Sequence, residues 1–218
     1  AATRNRAIAM TDCDYVVSVD ADDWVEPQYF AKLANALDND PAAGVAYSGV
    51  KVLVNDEGRM WQSQEWPPAM TDKAWAWMLE RDNPPRTCIP ASAMYRRNMW
   101  TRVGGFMESI PRGEDVEFWL RALTRTGYKA IKATDDPLYV WRAHGNQLSR
   151  GVYPDVHAWV PQTRRGRAMR NGNPLVSVVI PVGPGHARYV VSAIESVIGQ
   201  TMPDWEMAIV NDTGDAKV

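Results

Sequence analysis

The chain has 218 residues, of which 45% are hydrophobic and 23% are charged, and its formal net charge is −2. This composition is ordinary for a soluble globular protein, and the length suits one or two domains. A charge so close to neutral argues against a nucleic-acid binder, which usually has a clear basic excess. The two cysteines, Cys13 and Cys88, are too few for a disulfide scaffold, so we expect reduced thiols.

No apolar run approaches the roughly 18 residues that a membrane span needs. We therefore expect a cytoplasmic segment, which in the intact protein could lie at the inner face of a membrane. The opening residues, AATRNRAIAM, contain neither an initiator Met nor a signal-peptide pattern. This opening predicts a segment cut from a longer protein.

Residues 1–150 alternate predicted helices with predicted strands, which indicates an α/β layered domain. Apolar residues at helical or alternating spacing, bounded by Gly, Pro and Asn, define these elements. We predict helices at Thr3–Met10, from Pro27 to Leu37, at Thr71–Glu80 and at Glu114–Thr126, and strands at Tyr15–Val19, Gly44–Val54, Cys88–Tyr95 and Tyr128–Ala133.

The rest of the chain divides into a linker and a second block. Residues 151–173 contain four arginines without periodicity and predict a basic linker. Residues 174–218 predict a βαβ unit, with strands at Leu175–Val182 and Trp205–Val210 around a helix at Tyr189–Gln200. Ligands of open α/β sheets bind at the carboxyl ends of the strands, so the loops of this unit are candidate binding loops.

The stretch VSVDADDW places Asp20, Asp22 and Asp23 directly after a predicted strand. In an extended segment alternate side chains share a face, so Asp20 and Asp22 can point the same way. Two such carboxylates can bind Mg²⁺ or Mn²⁺. An EF-hand is excluded because Val25 and Ala31 stand where its Gly and Glu are required. The residues alone leave two interpretations open, a metal site and a solvated acidic turn.

Three stretches of residues 1–150 follow one another in a specific order. RNRAIAMTDCDYVVSVDADDWVEPQYFAKL contains an R-N-x-x-I segment and the D-A-D-D run, YRRNMWTRVGGFMESIPRGEDVEFWLRALTRTGYKA contains V-G-G-F and an E-D pair, and YVWRAHGNQLSR closes the block. Together they resemble family 2 glycosyltransferases, although Ala7 stands where that family often has Gly. The resemblance implies a GT-A-like fold, in which helices flank a mixed, mostly parallel sheet that is incomplete or permuted here.

The second block resembles the beginning of the same family. PLVSVVIPVGPGHARYVVSAIESVIGQTMPDWEMAIVNDTGD follows its V-S-V-V-I-P, Q-T and Asp motifs, but departs from them at Gly183-Pro184 and Thr213-Gly214. The family's first part therefore follows its later part. We expect residues 1–150 to be the metal-binding and acceptor part of one domain and residues 174–218 to begin a second. The alternative is a circular permutation, and in either case the two blocks can dock through their sheet edges.

The resemblance implies roles for particular residues. Asp22, with Asp20, would coordinate Mn²⁺ or Mg²⁺, and His144 would lie near the metal or the diphosphate. A lone histidine is also often structural. Arg4 and Asp20 would contact the nucleotide-sugar donor.

Four more residues receive roles in the same way. Pro181 would line the pocket of the nucleotide base and Asp212 would pair with the base, although both also suit a buried strand end. Asp115 would be the general base of an E-D pair with Glu114. Acidic residues are favoured at a helix start in any case, so helix electrostatics is the alternative for that pair.

The implied function is transfer of a sugar from a nucleotide-diphosphate donor, expected to be a UDP-sugar, to a hydroxyl of a glycan or another acceptor. Family 2 resemblance implies a metal-dependent reaction with inversion at the anomeric carbon. A catalytically weak nucleotide- or glycan-binding module from a truncated tandem transferase is the alternative, and the altered loop 211–214 favours it. A nucleotidyltransferase ranks last because no basic, Gly-rich phosphate loop is present.

Two further expectations concern activity and acceptor. Neither half-site is complete in sequence order, so we expect weak or no activity from this chain alone. Four tryptophans in the variable stretch before the acceptor segment are candidates for stacking on the acceptor. They are Trp61, Trp66, Trp75 and Trp77.

Overall fold

The computed structural model describes residues 1–54, 59–63, 69–71, 74, 88–109, 113–144, 163–165, 175–183, 185–186, 188–202 and 204–212. Within these ranges the chain forms five helices and nine strands that belong to one sheet. The helices are α1 (Ala2–Ala9), α2 (Tyr29–Asn39), α3 (Arg97–Val103), α4 (Glu114–Thr126) and α5 (Val190–Ile198). The strands are β1 (Tyr15–Ser18), β2 (Trp24–Val25), β3 (Ala43–Val54), β4 (Arg59–Ser63), β5 (Met94–Arg96), β6 (Lys129–Ala143), β7 (Thr163–Arg165), β8 (Val176–Val182) and β9 (Trp205–Asn211).

The sheet is mixed, with the strand order β2-β6-β3-β5-β1-β8-β9-β7 and with β4 paired to β3 outside this path. Strand β5 is antiparallel to both β1 and β3, whereas β6 is parallel to β3. Strands β8 and β9 continue the sheet in parallel from β1. As a result β1, β3, β6, β8 and β9 run in one direction, and their carboxyl ends share one edge, the carboxyl edge.

The two sequence blocks share this sheet. Residues Tyr15 to Ser18 of β1 pair in parallel with Val176 to Val179 of β8. The expected docking of the second block on the first therefore occurs through main-chain hydrogen bonds. Within the predicted linker, β7 pairs antiparallel with β9. Whether the blocks come from tandem domains or from one permuted domain stays a prediction.

Helices cover both faces of the sheet. Because neighbouring side chains of a strand point to opposite faces, Val17 of β1 joins the core under α2 and α5, whereas Val16 joins the core under α1, α3 and α4. Phe30 and Leu33 of α2 are fully buried in the first core, and Phe118 of α4 is fully buried in the second. The α/β fold class predicted from the sequence is confirmed.

Most predicted elements are confirmed within about two residues, and the helix Glu114–Thr126 agrees residue for residue. The strand predicted from Tyr128 continues to Ala143, well beyond the predicted end. The strand predicted at Cys88–Tyr95 is wrong over most of its length. Within the predicted range, the Ala93 amide donates to the Pro90 carbonyl (3.0 Å) and closes a turn. Only Met94–Arg96, which follow this turn, form a strand.

Most of the helix predicted at Thr71–Glu80 lies outside the described residues. Among the residues that the structure does describe, none of the helices combines the length and the apolar character that crossing a bilayer requires.

Candidate metal and catalytic site

Several polar residues with roles predicted from the sequence lie at the carboxyl edge of the sheet. The D-A-D-D run follows β1, His144 follows β6, and Asp212 follows β9. His186 follows β8 after a short loop in which Gly185 has a φ of 81°. Strands that are distant in sequence end side by side, so their terminal residues can form one site.

Asp22, His144 and His186 form a buried cluster at this edge. The Nε2 atom of His144 lies 2.9 Å from Oδ2 of Asp22, and Nε2 of His186 lies 3.8 Å from the same oxygen. One ligand atom from each residue lies within 4.8 Å of the other two. All three side chains are buried, so solvent does not compete strongly for these atoms.

Two imidazole nitrogens in this cluster lack a hydrogen-bond partner among the described residues. They are Nδ1 of His144 and Nε2 of His186, both fully buried. An unpaired polar atom in the interior is costly, and in native proteins it usually has a functional reason. A carboxylate with two imidazoles is a donor set that binds divalent first-row transition ions. The three residues therefore fit a bound divalent cation.

Asp23 belongs to the packing that holds this cluster in place. Its Oδ1 accepts a hydrogen bond from the Arg142 amide at 2.8 Å, and its Oδ2 accepts one from the Tyr139 hydroxyl. The Nε atom of Arg142 donates to the Asp22 carbonyl oxygen at 2.9 Å. Burial, with the charges of Asp22 and Asp20, raises the pKa of Asp23 well above its ordinary value. These bonds attach the end of β6, which carries His144, to the loop that carries Asp22.

The structure places Asp20 with Arg4, outside the Asp22 cluster. Arg4 NH2 lies 3.1 Å from Oδ1 of Asp20, and Arg4 NH1 lies 2.7 Å from Oε1 of Glu114. The Arg4 side chain is only 13% exposed. Burial lowers the pKa of Arg4, but the charges of Asp20 and Glu114 outweigh it and raise the pKa above its ordinary value. Arg4 thus joins the acidic loop after β1 to the start of α4.

Glu114 and Asp115 occupy the first turn of α4. Asp115 is half-buried, and burial together with the Glu114 charge raises the pKa of its carboxyl above the ordinary value, although the Arg4 charge opposes the shift. A carboxylate with a raised pKa is a stronger base than an ordinary one, which suits proton abstraction. Within the described chain, Glu114 contacts Arg4, and Asp115 is its neighbour on the same turn.

Asp212 and Pro181 lie at the ends of β9 and β8. Oδ2 of Asp212 accepts a hydrogen bond from the Thr3 hydroxyl at 2.8 Å, and the Asp212 amide donates to the Val182 carbonyl at 2.7 Å. Pro181 is half-buried in β8 opposite Val210. The first contact ties the second block to α1, which also carries Arg4.

Sequence reasoning missed His186. His186 is 42 residues from His144 and 164 from Asp22 along the chain, so no spacing in the sequence connects the three residues. The sequence does place His186 shortly after a predicted buried strand. That position indicates a site near Asp22 only when β8 is known to pair with β1. The tryptophans predicted to stack on an acceptor, Trp61, Trp66, Trp75 and Trp77, have side chains outside the described residues.

Comparison with known proteins identifies the first half of the chain. Residues 1–104 match the model of the family "Glycosyl transferase family 2". The chain is also 23% identical over 234 residues to a protein of Sinorhizobium fredii (strain NBRC 101917 / NGR234) named "Uncharacterized protein y4gI". That alignment covers 95% of this chain and 24% of the relative, so the chain spans about a quarter of the relative's length. The mixed sheet with helices on both faces is consistent with the α/β, GT-A-like fold, and residues 1–104 are similar to glycosyl transferase family 2.

Proposed function

We propose that this chain is part of a metal-dependent glycosyltransferase. The enzyme moves a sugar from a nucleoside-diphosphate donor, a UDP-sugar, to an acceptor hydroxyl with inversion at the anomeric carbon. The observation that carries the proposal is the buried pair of Asp22, which lies in the D-A-D-D run of the segment similar to family 2, and His144, which follows β6. The similarity to that family supports glycosyl transfer in general, and the pair of Asp22 and His144 supports its dependence on a metal.

Asp22 and His144 would hold the cation, Mn²⁺ or Mg²⁺. A divalent cation in this place supplies Lewis-acid stabilisation of the negative charge that develops on a leaving diphosphate. The hydrogen bonds of Arg142 to Asp23 and to the Asp22 carbonyl hold the loop of Asp22 beside the end of β6, which His144 follows. Preorganised ligands of this kind lose little conformational freedom when an ion binds.

Donor recognition would use the residues around the cation. Asp20 and Arg4 lie beside the acidic loop and would contact the donor, while Pro181 and Asp212 would line the pocket of the base. Arg4 contacts both Asp20, a proposed donor-binding residue, and Glu114, the neighbour of the proposed base. It therefore links the position of the donor-binding loop to that of the general base.

Asp115 would act as the general base. Its carboxylate takes the proton of the acceptor hydroxyl while the hydroxyl oxygen forms a bond to the anomeric carbon. The bond from that carbon to the diphosphate oxygen breaks at the same time, and the electron pair leaves with the diphosphate. Attack opposite to the leaving group inverts the configuration of that carbon, and the raised pKa of Asp115 favours the proton transfer.

A second candidate function is a binding module that holds a nucleotide or a glycan without turnover. It is favoured by the loop after β9, where Asp212 is already engaged by Thr3. In this case metal-dependent nucleotide binding persists although no sugar is transferred.

The test is calorimetric titration of UDP with and without Mn²⁺ into wild type, Asp22→Asn and Asp115→Asn, followed by a transfer assay with a panel of UDP-sugars. We expect UDP to bind only with Mn²⁺, binding to be lost in Asp22→Asn, and binding to be kept in Asp115→Asn. Asp14→Asn, an exposed aspartate before β1, is the matched control.

The outcomes separate the two candidates. Metal-dependent UDP binding with transfer that Asp115→Asn abolishes supports the enzyme. The same binding without transfer from any UDP-sugar supports the binding module. UDP binding that needs neither Mn²⁺ nor Asp22 contradicts both.

A further inference from the structure

The Asp22 cluster is built from two parts of the chain. Asp22 and His144 belong to residues 1–144, and His186 belongs to the second block, described over 175–212 with short gaps. These parts are joined through a stretch of which the structure describes only 163–165. A ligand that contacts all three residues would therefore bridge segments that are far apart along the chain.

We propose that His186 is the third protein ligand of the cation and that the bound cation cross-links the second block to the rest of the chain. The inference rests on the metal site of the proposed function and is independent of the donor and of the transfer step. It gives the second block a role in the metal site, in addition to the nucleotide role inferred from its motifs.

The distances support direct coordination by His186. Two ligands that each lie about 2.1 Å from a cation, at a right angle, are about 3 Å apart. His144 Nε2 is already 2.9 Å from Asp22 Oδ2, and His186 Nε2 is 3.8 Å from it. A movement of less than about 1 Å, within the usual range of side-chain motion, brings His186 into the same coordination sphere.

His186 is also held so that its unpartnered nitrogen faces the cluster. Its amide donates to the Gly183 carbonyl at 3.2 Å, and its carbonyl accepts from the Tyr189 amide at 2.9 Å. The His186 ring meets the His144 ring edge to face at 5.8 Å between centroids, and the Tyr189 ring lies 5.1 Å from His144. The backbone turn fixes the residue while Nε2 has no other described partner.

Coordination by two imidazoles also affects the choice of metal. Mg²⁺ prefers oxygen ligands and keeps several waters, whereas imidazole nitrogen suits first-row transition ions. We therefore expect Mn²⁺ and Co²⁺ to bind more tightly than Mg²⁺, and we expect part of this preference to disappear with His186.

The first experiment measures Mn²⁺ and Mg²⁺ affinity without nucleotide in wild type, His186→Gln and the control Arg188→Gln, which changes an exposed residue of the same loop. Loss of an outer-sphere partner typically weakens metal binding about 10–100-fold, so loss of a direct ligand should weaken it at least about tenfold. His186→Gln should show this loss for Mn²⁺ and a smaller one for Mg²⁺. Unchanged Mn²⁺ affinity in a folded His186→Gln overturns the proposal.

The second experiment asks whether residue 186 touches the metal, using His186→Cys and Co²⁺ as the probe. A thiolate bound to Co²⁺ gives a near-ultraviolet charge-transfer absorption that imidazole ligation lacks. We expect this band in His186→Cys and not in wild type, whose two cysteines are buried elsewhere. The band places residue 186 in the coordination sphere, whereas its absence together with unchanged Mn²⁺ affinity in His186→Gln overturns the proposal.

The third experiment tests the cross-link by hydrogen exchange with and without Mn²⁺. In wild type Mn²⁺ should slow exchange in β8, α5 and β9 as well as around Asp22, because ion binding opposes local opening. In His186→Gln the protection should remain near Asp22 and vanish from the second block. Equal protection of that block in both proteins contradicts the cross-link. Failure of UDP binding or transfer alongside these results would refute the proposed function and leave the metal inference standing.

Discussion

Oε1 of Gln200 accepts a hydrogen bond from the backbone amide of Phe30 at 3.1 Å, across 170 positions of the chain. Phe30 lies in the first turn of α2, whose N-cap residue, Gln28, makes no side-chain capping bond. Nε2 of Gln200 donates to the carbonyls of Glu26 (2.8 Å) and Ser196 (3.0 Å). A glutamine of the second block thus accepts a hydrogen bond from a backbone amide in the first turn of a helix in the first block.

Replacing Gln200 by Ala should destabilise the fold. It removes three hydrogen bonds and leaves a buried amide of α2 unpaired, so the free energy of unfolding should fall by about 1–3 kcal/mol. Chemical denaturation of the two proteins measures this difference. Gln28→Ala changes the exposed N-cap of the same helix and should stay within about 0.5 kcal/mol of wild type. Equal effects of the two substitutions would show that Gln200 does not stabilise the docking.

Arg4→Met should destabilise the chain by about 1–3 kcal/mol, because Asp20 and Glu114 lose their shared counter-charge in a partly buried place. Thermal or denaturant unfolding checks this value. Arg6→Met, an exposed arginine of the same helix, is the control and should cost less than about 1 kcal/mol.

A double-mutant cycle isolates the contact of Arg4 with Glu114. If the 2.7 Å pair contributes, Arg4→Met should cost less in the Glu114→Gln background than in wild type. Strictly additive costs would mean that Arg4 acts through Asp20 or through packing alone.

The raised pKa of Asp115 predicts a pH dependence of stability. The folded chain binds the Asp115 proton more tightly than the unfolded chain, whose carboxyl has the ordinary pKa of 3.8. The resulting stability is fully present below the unfolded pKa and is lost as the pH rises through the higher folded pKa. Asp115→Asn should therefore flatten the stability curve in this window and be at least as stable as wild type at neutral pH. Denaturation at a series of pH values measures the curve.

Asp14→Asn is the matched control for this titration, since Asp14 is exposed. Its pH curve should follow that of wild type. If Asp115→Asn follows it too, Asp115 does not have a raised pKa in the folded chain. If the chain transfers sugar, the transfer rate should rise with pH, with an apparent pKa above the ordinary carboxyl value. Asp115→Asn should show no transfer.

Asn5 connects the first helix to the loop after α3. Its Oδ1 accepts hydrogen bonds from the Phe106 amide (2.8 Å) and the Trp100 indole (3.1 Å), and its Nδ2 donates to the Phe106 carbonyl (2.8 Å). Gly105 makes this approach possible. A Cβ atom on Gly105 would lie 2.7 Å from Oδ1 of Asn5, and its φ of 80° also disfavours a side chain.

Gly105→Ala should therefore cost more stability than Gly104→Ala. Gly104 has nearly the same φ, 79°, but a Cβ there meets nothing within 4 Å. We expect about 1–2 kcal/mol for Gly104→Ala from backbone strain and about 2–4 kcal/mol for Gly105→Ala, where the steric clash adds to it. Denaturant unfolding of the two variants decides the comparison. Equal costs would show that the loop relaxes away from Asn5.

The elements were predictable from the sequence because each depends on local periodicity. The apolar spacing of residues 114–126 and the glycine after them predict an amphipathic helix, and the structure agrees. The apolar run at Val176–Val182 determines a buried strand in the same way. The strand predicted at Cys88–Tyr95 failed because Pro90 begins a turn whose effect the apolar composition conceals.

The candidate site was predictable in part. Asp22 and His144 were singled out by pattern and resemblance, and the structure brings them to 2.9 Å. Asp20 was expected to bind the metal together with Asp22, and this stays a prediction. In the structure its carboxylate pairs with Arg4, because a buried guanidinium needs nearby negative charge. His186 could not be found, since a histidine in a loop has no sequence feature that names its spatial neighbours.

The α/β class, most of the described helices and strands, and the acidic run at the end of a buried strand were predictable from the sequence, because all of them follow from short-range spacing. The tertiary structure alone decided that β8 lies beside β1, that Gln200 caps α2 and that His186 reaches Asp22. Each of these contacts depends on strand order in the sheet, which is decided by packing between segments more than 150 residues apart.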